Sequence, residues 1–311
     1  MNSSACSQFE TIPCSHPLNT PFYYSHKPSL FARFPDQYLA LAAPIFAYWY
    51  LSLFFHYLDI SGWKWLEKYR IHESSEVKAR NIATRSHVVG FVFLQQVIQT
   101  LLGLMWLDVP EATNHTQNMQ DIAVKLRPLL AWVAVEVKSE DNFLYFIYWW
   151  GIPVFQFIAA MFFIDTWQYF LHRSMHINKF LYKHFHSWHH RLYVPYAFGS
   201  LYNHPVEGFM LDTLGALFAE ILTGMSTRQA TLLFVFSTLK TVDDHCGYNL
   251  PFDPLQLFGN NADYHDIHHQ VIGIKSNFSQ PFFVHWDYLM GTRMTRRDIE
   301  LRRQKVAKKL T

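Results

Sequence analysis

Residues 143–176 read FLYFIYWWGIPVFQFIAAMFFIDTWQYFLHRSMH. The run from Phe143 to Ile164 contains no Lys, Arg, Asp or Glu, and about 20 apolar residues cross the hydrocarbon core of a bilayer. Pro153 lies inside the run, where a membrane helix tolerates proline better than a soluble one does. His172 and His176 follow directly. At i and i+4 they stack on one helix face. An apolar span that ends in paired imidazoles sets the expectation for the whole chain: an all-α, polytopic membrane helix bundle capped on its cytosolic side by a histidine-rich helical unit holding a two-metal site.

Two further uncharged runs, Tyr38 to Leu58 with Pro44 inside it and Val88 to Leu107, are long enough to span. Phe209 to Gly224, with Asp212 and Glu220, and the short Thr231 to Leu239 are weaker; they read as a helical hairpin that dips in and returns, or as two tilted spans. Charged residues make up 16% of the chain, against roughly 25% in globular domains, and aromatics 18%. The mean hydropathy of −0.02 is low for a pure bundle, so a polar unit must accompany the spans. A net charge of +2 with no basic stripe excludes a nucleic-acid binder. Cys6, Cys14 and Cys246, with no C-x-x-C among them, argue against a disulfide scaffold or zinc ribbon and read as unpaired thiols, the alternative being a Cys6–Cys14 pair if the N-terminus lies in an oxidising lumen. The N-terminus has no basic region followed by an apolar one, so insertion is expected through the first span rather than a cleaved signal.

Loop charge sets the orientation. Lys64, Lys68, Arg70, Lys78, Arg80 and Arg85 lie between the first two runs; only Lys125, Arg127 and Lys138 lie between the second and third. The first loop is therefore expected in the cytosol, and the segment after the third run returns there with Arg173, Lys179, Lys183 and Arg191. Asn114-His115-Thr116 is a glycosylation sequon on the expected lumenal side; Asn2 and Asn277 open others. Basic residues from Arg293 to Lys309 suggest a surface helix on an anionic membrane. The ending Lys308-Lys309-Leu310-Thr311 resembles a dilysine retrieval signal, which implies the endoplasmic-reticulum membrane. The expected organisation is a tail (1–37), a transmembrane region (38–150), a catalytic domain (151–292) and a basic tail (293–311).

Twelve of the 18 histidines fall between His172 and His285. They form H-x3-H (His172, His176), H-x2-H-H (His186, His189, His190) and H-x2-H-H (His265, His268, His269), each box expected to present one helix face. A lone histidine is usually a surface or core residue; three boxes at helical spacing in a charge-poor chain point to metal. Imidazole suits iron, zinc, copper and nickel. A zinc site normally takes four ligands, so eight histidines imply two ions; O2 chemistry, were it the task, would need a redox metal and favour iron over zinc. His204 and His245 are candidate further ligands, His184 lies off the stripe of its box, and His285 reads as structural. Asp165, Glu207, Asp244, Asp263 and Asp266 are candidates to accept the outer ring N–H of a ligand. Phe170, Trp188, Tyr193, Tyr196 and Phe198 are candidate walls of an apolar groove.

The strings His172-Arg173-Ser174-Met175-His176, Phe185-His186-Ser187-Trp188-His189-His190 and His265-Asp266-Ile267-His268-His269 resemble the three boxes of the fatty acid hydroxylase superfamily, over roughly residues 155–292. Tyr182 to Arg191, Asn203-His204-Pro205-Val206-Glu207 and Thr241 to Tyr248 resemble fungal sphinganine 4-hydroxylases. The resemblance implies hydroxylation of sphinganine or dihydroceramide at carbon 4, with O2 as co-substrate. It also implies two iron ions on the box histidines, electrons from NAD(P)H through cytochrome b5 or its reductase, and a membrane-borne sphingoid lipid as substrate. Thr241 and Asn249 flank His245 at four residues where some relatives have a second histidine, a place His204 or a water would fill. A sterol desaturase or methyl oxidase of the same superfamily is the rival reading. A metal transporter is the rival of another class, disfavoured because its ionisable ligands would lie within the spans.

Overall fold

The computed structural model describes residues 20–105, 113–131 and 142–310. Every extended element among them is helical, and no β-strand is present among the described residues. The described residues divide into two compact units, one of 20–30, 113–131 and 142–155, the other of 31–105 and 156–310.

Three helices are long and apolar enough to cross a membrane: α1 (Asp36–Ser61), α2 (Arg85–Met105) and the helix from Asn142 to Ile177. The last is α4 here, α3 being His115–Ala131. α4 contains one π-helical turn, Ile147–Gly151. These spans leave large apolar side chains bare, among them Phe46, Tyr50 and Leu53 on α1, Phe93 and Leu101 on α2, and Phe155, Ile158 and Phe162 on α4. Apolar faces of that extent suit lipid and would be a liability in water. The protein is thus a polytopic membrane helix bundle.

In the first unit, His115 bridges Tyr24 and Tyr148, with both ring nitrogens at 2.7 Å from a phenol oxygen. Asn114 is exposed and accepts the Gln117 N–H at the start of α3.

In the second unit, α1 packs along α6 (Thr227–Asp244). The Tyr48 hydroxyl, fully buried, donates to the Phe198 carbonyl at 2.7 Å. The segment read as a dipping hairpin or two tilted spans forms two consecutive helices. In the first, Pro205–Gly208 runs through a π-helical turn, Phe209–Thr213, into Leu214–Thr223, together α5. It stops at Gly224, whose φ of 62° is left-handed and suits glycine. Ser226 and Gln229 then form the capping box that starts α6. Further helical elements of the unit include α7 (Ala262–His269) and the basic α8 (Arg296–Leu310).

The loop after α7 is pinned from both sides. Asp165 on α4 accepts the N–H groups of Phe282 and Phe283 at 3.0 and 2.5 Å. Asp287, fully buried, accepts from Phe278 N–H, Ser279 N–H, the Tyr264 hydroxyl and the Thr292 hydroxyl. Asn277, at a left-handed φ of 56°, is also fully buried and bonds to Tyr264 and Met294, so this sequon offers no exposed acceptor. Four donors on one carboxylate make Asp287 the organiser of residues 276–292. Asp287→Ala leaves several buried donors without partners, each worth about 1–3 kcal/mol. The melting temperature of the detergent-solubilised variant is expected to fall by roughly 5–10 °C, as read by a thermal-unfolding scan.

Candidate metal centre

α4 delivers His172 and His176 from its last turns. Asn178 then caps a short helix, Lys179–His184, by accepting the N–H groups of Phe180 and Leu181. A 3-10 turn, His186–Arg191, carries the second box. Asn261 caps α7, which carries the third. His245 stands at the C-terminal end of α6.

The rings converge in two groups. His172, His176, His186, His190 and His268 form one; His189, His245, His265 and His269 form the other, and within each group one ligand nitrogen per residue lies within 4.8 Å of all the rest. The boxes do not each face one way, as their spacing suggested. Residues at i and i+4 stay together, as His186 with His190 and His265 with His269. The i+3 member of each triplet, His189 or His268, crosses to the other group. Each H-x2-H-H box therefore serves both groups, and the two are built as one interlocked unit.

The outer nitrogens decide what the inner ones present. Nδ1 of His172 bonds the Phe278 carbonyl (2.9 Å), that of His268 the Ser276 carbonyl (2.7 Å), and that of His269 the Leu192 carbonyl (2.8 Å). His245 bonds the Thr241 carbonyl (2.8 Å) and His189 the Tyr202 carbonyl (3.3 Å). His186 Nδ1 lies 2.5 Å from the Glu207 carboxylate. A carbonyl oxygen can only accept, so each such Nδ1 carries the proton and each Nε2 is left as a bare lone pair. Yet Nε2 of His189 and of His245, both fixed by carbonyls, stand 3.4 Å apart. Lone pairs held that close repel unless a cation lies among them. Protonation is not an available remedy: burial holds His189 at about 4 and His245 and His268 at about 3. Neutral nitrogen donors in groups of five and four suit two transition-metal ions.

His204, a candidate further ligand, lies outside both groups. Its Nδ1 accepts the Val206 N–H and starts α5, and its ring packs against Phe185 and Trp188. His184 is exposed and bonds the Phe180 carbonyl; His285 stacks on Phe162.

Of the five candidate carboxylates, Glu207 alone meets a box histidine. Asp165 clamps the Phe282–Phe283 backbone, Asp244 pairs with buried Lys240 and with Asn260, and Asp263 pairs with Arg296. Asp266 meets His72, Arg296 and Gln270. None of the five candidate wall aromatics lines the cavity beside the histidines; Tyr196 and Phe198 belong instead to the core around Tyr48 and Leu192. Cys246 is buried and unpaired, and burial pushes its thiol well up. Cys6 and Cys14 lie outside the described residues.

Metal retention separates these roles. Glu207→Gln is expected to weaken metal binding about 10–100-fold, the usual effect of losing an outer-shell acceptor, as read by chelator competition. His245→Ala should lower the bound metal per chain and His204→Ala should leave it unchanged, by elemental analysis of the purified protein.

Comparison with known proteins agrees with this geometry. The fatty acid hydroxylase family profile matches residues 157–292. The chain is 48% identical to the sphingolipid C4-hydroxylase of Saccharomyces cerevisiae, over 94% of this chain and 84% of that one. It is 43% identical to sphinganine C4-monooxygenase 2 of Arabidopsis thaliana, over 83% and 88%. It is 42% identical to a very-long-chain aldehyde decarbonylase of Oryza sativa subsp. indica, over 83% and 89%. No solved structure matches it. With its three histidine boxes converging on two groups of ring nitrogens inside the matched segment, this chain belongs to the fatty acid hydroxylase family.

Proposed function

We propose that this chain hydroxylates sphinganine, or the corresponding dihydroceramide, at carbon 4. The reaction consumes O2, two electrons and two protons, converts one C–H bond into C–OH and releases water. The observation that carries the reading is the pair of nitrogen-only groups, five of whose nine rings are fixed by a backbone carbonyl with Nε2 as the lone pair. Two iron ions on these nine histidines would supply the O2 activation that side chains lack, with electrons from NAD(P)H through cytochrome b5 and its reductase.

The protein contributes position and protection. Five backbone carbonyls and Glu207 fix ring orientation and tautomer. Near-complete burial of His172, His186, His189, His245 and His265 keeps bulk water from the reacting bond. The spans let a lipid reach the site sideways from the bilayer. Loop charge favours a cytosolic site. Residues 151–292 form the catalytic region in this reading.

Expression in yeast deleted for its own sphingolipid C4-hydroxylase tests the assignment. The wild-type chain should restore C4-hydroxylated bases. His189→Ala and His268→Ala should abolish them while leaving the protein in the membrane fraction. Conversion of a long-chain aldehyde to alkane, without any C4-hydroxylated base, would overturn it.

A further inference from the structure

A polar cavity adjoins both histidine groups. Its wall includes His186 from the first group and His189, His245 and His265 from the second. The same wall carries four polar atoms that have no partner: Glu207 Oε2, Asp212 Oδ2, Asn260 Oδ1 and Ser200 Oγ. Glu207, Asn260 and Ser200 are almost fully buried. Asn260 Oδ1 can only accept, the two carboxyls only accept when ionised, and the serine can do either. Buried acceptors left without donors are costly, and buried carboxylates more so. Asp212 has one weak neighbour, the Gln168 amide at 3.5 Å from Oδ1. It projects from the π-helical turn Phe209–Thr213, a distortion often kept for function. Glu207 is engaged through Oε1 with His186, which leaves Asp212 as the carboxylate without a structural duty.

The cavity therefore offers these four atoms no hydrogen-bond donors. If the C4-hydroxylase reading on which this rests holds, the substrate supplies them. Sphinganine ends in a 2-amino-1,3-diol whose ammonium nitrogen is only three covalent bonds from carbon 4. A headgroup so near the reacting carbon must lie beside the metal centre whenever that carbon does. We infer that this cavity is the headgroup subsite, with Asp212 binding the ammonium of a free sphingoid base and Ser200 and Asn260 facing its hydroxyls. An N-acylated base has a neutral amide there and offers Asp212 one N–H at most, so the free base is the preferred substrate. Asp212 is then a specificity-determining residue and not a metal ligand.

The test measures equilibrium binding to the metal-loaded full chain in nanodiscs under anaerobic conditions, where no turnover occurs. The probes are sphinganine, an analogue with hydroxyl in place of the 2-amino group, and dihydroceramide. Wild type should bind sphinganine at least about 30-fold more tightly than the other two, the scale expected for a buried charge contact, and Asp212→Asn should erase that preference. Equal affinity of wild type for sphinganine and its hydroxyl analogue would overturn the inference and leave Asp212 as a counter-charge to the metals alone. Retained preference in an Asp212→Asn protein with wild-type metal content would overturn it too. Should the variant lose its metal, the wild-type comparison still decides. Product mapping on the same preparation separates the two levels: no C4-hydroxylated product from sphinganine removes the underlying reading together with this one, whereas C4 product without amine preference removes this one alone.

Discussion

The structure depends on one constraint, the fixing of imidazole protons on the outer nitrogens. A neutral imidazole has one proton and two places for it. Backbone carbonyls at Phe278, Ser276, Leu192, Thr241 and Tyr202 take that choice away from five rings, and Glu207 takes it from a sixth. The inner nitrogens then face each other as lone pairs. Without a cation the arrangement is repulsive; with one it becomes a preorganised ligand set. The scaffold must hold these carbonyls still, which explains why Asp165, Asp287 and Asn277 spend buried hydrogen bonds on a loop that contributes no metal-binding side chain.

Charge in the polar unit is arranged around the same centre. Lys240 is fully buried, yet it meets Asp244 and the Asn260 carbonyl, a pairing that makes burial of both charges tolerable. Asp266, next to His265 in the third box, bonds instead to His72 and Arg296, and its bonds raise the His72 imidazolium above the usual range. The cations on that side are thus engaged by Asp266, while the metal side keeps neutral nitrogen and unpartnered carboxylate. The separation matters, because a cation such as Arg296 beside the histidines would compete with metal for the same field.

Much of this was legible in the sequence, for identifiable reasons. Uncharged runs near Tyr38, Val88 and Phe143 gave the three spans because lipid imposes length and composition directly. The convergence of the eight box histidines was legible because helical spacing restricts which side chains can meet, whereas His245 was a candidate on the same footing as His204. The sharing of each triplet between two groups was not, since His189 and His268 go where a 3-10 turn and the packing of α7 send them. His204 looked like a ligand because it is a histidine near others; its position before Pro205 makes it a helix cap instead. Outer-nitrogen partners escaped notice almost entirely, because a backbone carbonyl has no letter in the sequence. Asp287, beyond the last box, carried no local signal either.

The same reasoning explains why the polar cavity is the informative part of the site. Histidine boxes specify metal and therefore a broad class of C–H chemistry, which hydroxylases share with desaturases. They say nothing about which carbon is presented. Regioselectivity at a carbon adjacent to a charged headgroup needs that headgroup held, because an alkyl chain offers successive methylenes that differ little in shape or energy. A carboxylate fixed on the cavity wall supplies the reference point that the chain cannot. Asp212 and Ser200 lie on elements outside the three boxes, α5 and the Ala197–Leu201 turn, so substrate choice can vary across such chains while the metal-holding core stays the same.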